Sequence, residues 1–234
     1  MLISPFRGLT LASLVALTSA CASAPAAPPS ISPTAERSLD GLYRVDNSIL
    51  RYAEVRQDLD LSAYDAFMLG PVEVTYQKDP GVRAGATGDA NFALTERQMT
   101  TLKEVYLEEI TRALTEDDGY ELVTTPGPNV LRLDAYLLDL VVRVDAEATV
   151  GRSRAFTSSY GEVSMILELH DSQSGQALAR VADRRDPTRN PNGMVEISRT
   201  FVRSDVTRMF RNWADTLRER LDAVREANLS GGGA

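Results

Sequence analysis

The chain has one cysteine, one histidine and one tryptophan in 234 residues. A single thiol cannot close an internal disulfide, so stability has to come from packing. One histidine and one cysteine cannot supply the several nitrogen and sulfur ligands that metal centres gather, and neither a metal nor another cofactor is expected. Positive charge is also scarce: 25 Lys and Arg stand against 33 Asp and Glu, a net charge of -8. Such a balance argues against a nucleic-acid binder, which needs a concentrated basic face toward phosphate, and against broad adhesion to an anionic lipid surface. No apolar run approaches the roughly 20 residues of a spanning helix.

The longest greasy stretch, Leu9 to Leu17, follows Arg7 and precedes Thr18, Ser19, Ala20 and Cys21. A positive head, a short apolar segment and small residues before a cut make a secretory signal over 1–20. Leu17-Thr-Ser-Ala-Cys21 resembles the lipobox of bacterial lipoproteins, with Ala20 before the cysteine and Thr18 where a leucine is usual. The resemblance implies that Cys21 carries a diacylglyceryl group and becomes the first mature residue. Palmitate-like acyl chains would then hold the protein to a bilayer, weakly with one chain and durably with two or more. Ala22 stands where an aspartate would favour inner-membrane retention, so the expectation is an outer-membrane anchor facing the periplasm. The bland alternative is plain cleavage near Ala20 or Ala24 with a free thiol.

Loss of Arg7 with the signal takes the charge from -8 to -9, since one basic residue leaves and no acidic one does. Residues 21–38, rich in proline and alanine, have too little apolar surface to offset the entropy of folding and read as a tether. Residues 39–229 have the composition of one domain, and 230–234 read as a disordered tail.

Within the domain, 42–60 lack regular periodicity and read as an irregular lead-in beside a sheet edge. Ala66–Tyr76 predicts a strand interrupted at Gly70-Pro71, because proline cannot donate to a ladder. Residues 79–90 are a loop by their breakers. Thr95 and Gln98 form a capping-box pair opening a helix, with Met99, Leu102, Val105, Tyr106, Ile110, Ala113 and Leu114 on its apolar stripe. Lys103, Glu104, Glu108, Glu109 and Arg112 are expected to face water. A short strand is expected at 120–124, a long one at 130–144 whose buried face changes after a bulge or whose two faces are both covered, and the polar 145–159 as either a twisted extension or a mobile connection. Glu162–His170 and Gln176–Asp183 flank Asp171-Ser-Gln-Ser-Gly175 as a hairpin. A final helix over about 198–227 places Trp213 at the centre of an apolar face. The sum is an α/β fold, a two-layer sandwich with a mixed or mostly antiparallel sheet under two main helices.

Few chemistries fit. His170 sits beside a turn, where a surface or capping role suits it. Ser172 and Ser174 lack the strained elbow between strand and helix that a serine nucleophile uses. Gly81, Gly85 and Gly88 are not followed by the lysine-serine pair of a phosphate loop. The carboxylates Asp134, Asp139 and Glu162 remain as candidates for acid-base hydrolysis, which needs two carboxyls about 5 to 9 Å apart.

Arginines gather in the last third: Arg184, Arg185, Arg189, Arg199 and Arg203 in particular. A guanidinium forks onto carboxylates and phosphates, so this cluster is the candidate docking surface for an acidic protein or an envelope polymer. The plainer alternative is local neutralisation by Asp183, Asp186 and Glu196.

The lipoprotein signal, Leu61-Ser-Ala-Tyr-Asp-Ala-Phe-Met-Leu-Gly-Pro-Val-Glu-Val74, Gly127-Pro-Asn-Val-Leu-Arg-Leu133, the hairpin Glu168–Leu178 with Asp183-Arg184, and Trp213–Leu221 together resemble a bacterial lipoprotein family catalogued only as a domain of unknown function. The resemblance spans most of the mature domain and implies no catalytic residues. The expected function is a membrane-tethered, non-enzymatic binding or accessory module of the envelope, with no nucleic-acid partner. Its rival is an envelope hydrolase working through paired carboxylates; a structural lipoprotein without a single ligand is the third reading.

Overall fold

Val163, Met165, Leu167 and Leu169 alternate along β8 (Gly161–Asp171) and are all buried, while the residues between them are only part-buried. The period of two turns one face of this strand to the core. β9 (Ala177–Arg185) runs back beside it, as the hairpin pattern predicts, with Leu167 opposite Val181 and Glu168 opposite Arg180. This computed structural model describes residues 30–77, 91–144, 156–188 and 193–231. The loop expected at 79–90 lies outside the described residues.

The hairpin is the centre of an eight-stranded mixed sheet, ordered β1-β2-β3-β9-β8-β6-β4-β5. β6 (Val130–Val142) pairs antiparallel with β8, and β4 (Ala66–Tyr76) lies parallel to both β6 and β5 (Glu121–Leu122). The other edge corrects the expected irregular lead-in. Residues 42–60 contribute β2 (Tyr43–Asp46) and β3 (Tyr52–Val55), and β3 pairs antiparallel with β9. Four-residue strands are too short for a period to show. β1 (Ser30–Ile31) pairs with β2, so the chain joins the sheet within the stretch expected to be tether.

Both interruptions expected in the long strands occur. Pairing between β4 and β6 slips between Leu69 and Val72, around Gly70-Pro71. Pairing between β6 and β8 slips between Leu138 and Val141, where Asp139 takes φ 53°. The extra residue moves the inward set from Leu137 to Leu140, both in the core.

One face of the sheet is covered by two helices. α1 (Glu96–Thr115) opens on the predicted capping box, Thr95 accepting from the Gln98 amide and Gln98 accepting from the Thr95 amide. α2 (Arg199–Gly231) starts where the Ser198 hydroxyl accepts from Phe201 N–H and continues into the residues expected as a tail. The helices run side by side in the same direction: Glu109 meets Arg211, Arg112 meets Asp215, and Arg218 donates to the last carbonyls of α1. Tyr106, Phe210 and Trp213 form an aromatic seam between them and the sheet. Glu109 corrects the expected polar face of α1. It is 4% exposed, because α2 packs over that side and brings Arg211 to it. Among the described residues no helix is long and apolar enough to cross a membrane.

A small second sheet pairs β7 (Phe156–Thr157) with β10 (Val195–Glu196) beside the start of α2. The amino ends of both helices, the ends of β6 and β9, and the start of β8 share one end of the sandwich.

Candidate functional site

The uncovered face of the sheet carries a row of charge across four strands. Register sets Glu54, Arg180, Glu168 and Asp134 side by side on β3, β9, β8 and β6. Arg180 bonds Glu168 at 2.7 Å, Glu54 at 3.3 Å and Asp40 at 2.5 Å. The Asp40 hydrogen bond foremost, and then that of Glu168, hold its pKa above the ordinary guanidinium value against opposing desolvation. Arg132 closes the row on Asp134 at 2.9 Å. At the β2 edge, Arg44 lies 4.0 Å over the Tyr52 ring. The Tyr52 hydroxyl donates to Glu54, which keeps the phenol protonated to higher pH than usual. Cross-strand pairs of opposite charge stabilise a sheet, and here they also occupy its acids.

Asp134 is nearly buried because Gly70 leaves room for it: a Cβ at Gly70 would stand 1.7 Å from Asp134 Oδ1. His170 lies beside this row, Nε2 3.3 Å from Glu168 and Nδ1 3.3 Å from the Gly175 carbonyl. The two serines near it are committed to turns. Ser172 Oγ donates to the Gly127 carbonyl at 3.0 Å, and Ser174 Oγ donates to Asp171 at 2.6 Å. Among the described residues no serine-histidine pair forms.

The carboxylates singled out for hydrolysis are not brought together as a trio. Asp134 faces Glu168, six positions along β8 from Glu162, a separation of about 20 Å at about 3.4 Å per residue. Asp139 is exposed on its bulge. Glu162 accepts from Arg184 at 2.9 Å and Arg143 at 3.0 Å. The Arg184 hydrogen bond, ahead of opposing desolvation, keeps its pKa below the usual carboxylate range. A general acid needs the opposite shift.

The candidate docking arginines are divided among three places. Neighbours in a strand point to opposite faces, so Arg184 joins Glu162 on the open face while Arg185 turns to the helix side. There Arg185 bonds Asp183 at 2.8 Å and lies 5.7 Å over Trp213. Arg189 lies outside the described residues. Arg199 and Arg203 are exposed, one turn apart at the start of α2. The alternation of β9 was the signal that could have separated Arg184 from Arg185.

An apolar cavity of about 130 Å³ opens at the shared end of the sandwich. Leu94, Leu102, Val142, Tyr160, Val202 and Met209 are among its lining residues. Around it stand large apolar side chains left in water: Phe92 at 39% exposure, Phe156 at 52%, Met194 at 63% and Phe201 at 44%. Phe92 N–H donates to the Val142 carbonyl, Phe156 pairs with Glu196, and Tyr160 OH donates to the Glu196 carbonyl, which ties these segments to one rim. The sequence offered no pattern for this rim, since its residues come from four separate segments.

The PelC dodecamer of Paraburkholderia phytofirmans is similar at 12% identity and TM-score 0.35, over 71% of this chain and 97% of that one. A protein described as a neuraminyllactose-binding hemagglutinin homologue from Helicobacter pylori is 8% identical at TM-score 0.38, over 73% and 92%. A DUF330 protein from Xanthomonas campestris is 11% identical at TM-score 0.33, over 76% and 91%. Likenesses this distant carry no inference about activity. None of the curated proteins matches the sequence. A family model described as a protein of unknown function (DUF3313) matches residues 37–217, and the chain belongs to that family.

Proposed function

We propose that the chain is a non-enzymatic binding or accessory module of the bacterial envelope, held by acylated Cys21 to the outer membrane and facing the periplasm. The observation that carries the non-enzymatic part is the state of the acids on the open sheet face. Glu54, Glu162, Glu168 and Asp134 are each tied to an arginine. Glu162, its pKa lowered by the Arg184 hydrogen bond, is a poor proton donor near neutral pH, and arginines paired this way can exchange their acids for those of a partner. An antiparallel face without helices over it is available to such a partner.

Arg184 is the arginine proposed to meet an acidic protein or envelope polymer, in competition with Glu162. Arg185 serves α2 packing instead. The test is affinity capture from detergent-solubilised envelopes with wild type, Arg184→Ala and Arg185→Ala. Loss of specific partners in Arg184→Ala, with the fold retained, is the expected result; an identical partner set contradicts docking. The hydrolase reading predicts that Glu162→Gln abolishes an activity on envelope polymer, whereas the binding reading predicts no such activity in either form.

A further inference from the structure

We propose that the outer edge of β4 takes an added strand from another protein, an extended segment in which apolar residues alternate with lysine or arginine. This edge is separate from the Arg184 face, and the partner it selects has the opposite charge.

The two edges of the large sheet differ. On one side the sheet tapers through β3, β2 and β1, with four, four and two residues, and short edge strands offer little to pair with. On the other, β5 covers only Ala66 and Phe67 of β4, and Val123 N–H reaches the Phe67 carbonyl. β4 then continues through Tyr76, eight residues from Leu69, or about 26 Å at about 3.3 Å each. Along that length β6 lies on one side, and among the described residues no strand lies on the other.

Main-chain direction shows what the edge offers. Successive residues of a strand send their N–H and C=O to opposite sides. Phe67 faces β5, so Leu69 also points outward. Beyond the bulge, Gln77 N–H donates to the Leu140 carbonyl of β6, which leaves Val72, Val74 and Tyr76 pointing outward. Pro71 is not among these residues, so its missing N–H does not blunt the edge. Donors and acceptors at this alternation match the backbone of an extended polypeptide.

Side chains select the partner's chemistry. Leu133, Ala135 and Leu137 are buried on β6, whereas their neighbours Leu69, Val72 and Val74 are only partly buried, as a strand flanked on one side should be. An added strand sets apolar residues beside these three and its alternate residues beside Glu73. Glu73 is exposed on the open face, with no ion pair among the described residues, and a base beside it is favourable. A second copy pairing through β4 supplies no base. Centred on Glu73 it sets two glutamates face to face, and centred on Val74 it sets Glu73 opposite a threonine.

The test uses the exported Cys21→Ser chain with a labelled peptide of alternating valine and lysine, and the same peptide with glutamate for lysine. Fluorescence anisotropy should show the lysine peptide binding at least tenfold tighter, and Glu73→Lys should reverse the order. Val74→Pro removes an outward N–H and leaves the ladder to β6, so it should weaken the lysine peptide at least tenfold. Trp213 emission checks the fold of each variant, and Glu73→Lys decides the matter if Val74→Pro does not fold. In amide exchange, Leu69, Val72 and Val74 should exchange quickly in the free chain and slow when the lysine peptide is added. An unchanged preference in Glu73→Lys, or an unchanged affinity in folded Val74→Pro, overturns the proposal. So does slow exchange of these amides without peptide: at all protein concentrations it means that the chain covers its own edge, and rising with concentration it means that a second copy does.

Discussion

Trp213 donates its indole N–H to Asp183 Oδ2 at 2.9 Å, a buried bond that pins the middle of α2 to the end of β9. Burial pushes the Asp183 carboxyl upward, but the indole and Arg185 outweigh it and leave the pKa below the ordinary value. Removing the donor strands a buried charge and opens space. Trp213→Phe should cost about 2–4 kcal/mol, seen as a lowered urea midpoint. Arg185→Ala should cost less, since Arg185 is one-third exposed and the indole remains. Equal costs would show that Arg185, not the indole, holds Asp183.

Gly70 and Gly161 are both closed to a Cβ, for reasons that predict different rescue. At Gly70 the clash is with a side chain, Asp134 Oδ1 at 1.7 Å; at Gly161 it is with the Val141 carbonyl oxygen at 1.9 Å, on backbone with φ 138°. Gly70→Ala should cost about 2 kcal/mol by displacing Asp134 from Arg132, and should cost much less in an Asp134→Ala background. Gly161→Ala should cost about 3 kcal/mol with no side-chain rescue, because the obstacle cannot rotate away. A double-mutant cycle by thermal unfolding reads both.

Glu109 accepts from Arg211 through both oxygens at 3.0 Å and from Arg112 at 3.0 Å. The Arg211 hydrogen bonds, against opposing desolvation, put its pKa below the usual value. A carboxyl depressed in the folded state contributes stability that is complete above the unfolded pKa, about 4.3, and is lost as pH falls toward the folded one. Unfolding free energy should therefore decline below about pH 4.5, and Glu109→Gln should flatten part of that decline while losing about 1.5–3 kcal/mol at neutral pH. Glu162 has the same sign and adds to the slope.

These sites also show how far the amino-acid order could be read. The hairpin, the capping box at Thr95 and the bulge near Asp139 are local, and each shows as a period, a spacing or a break in a period. β2 and β3 were missed because four residues hold too little pattern, and what makes β3 a strand is β9, over 120 positions away. Glu109 looked solvent-facing because its partner Arg211 lies 102 positions on. The row Glu54, Arg180, Glu168 and Asp134 is a product of register across four strands, so no segment displays it. Gly70 was legible as an interruption, but its reason, room for Asp134, belongs to the neighbouring strand.

The central claim is that a fatty-acylated Cys21 holds this domain at a bilayer. Intact-mass analysis of the chain extracted from membranes tests it most directly. The account predicts a mature protein beginning at Cys21 with the added mass of a diacylglyceryl group, and Cys21→Ser should lack that addition and leave the membrane fraction. A mature chain of unmodified mass, found in the soluble fraction with Cys21 intact, would contradict it.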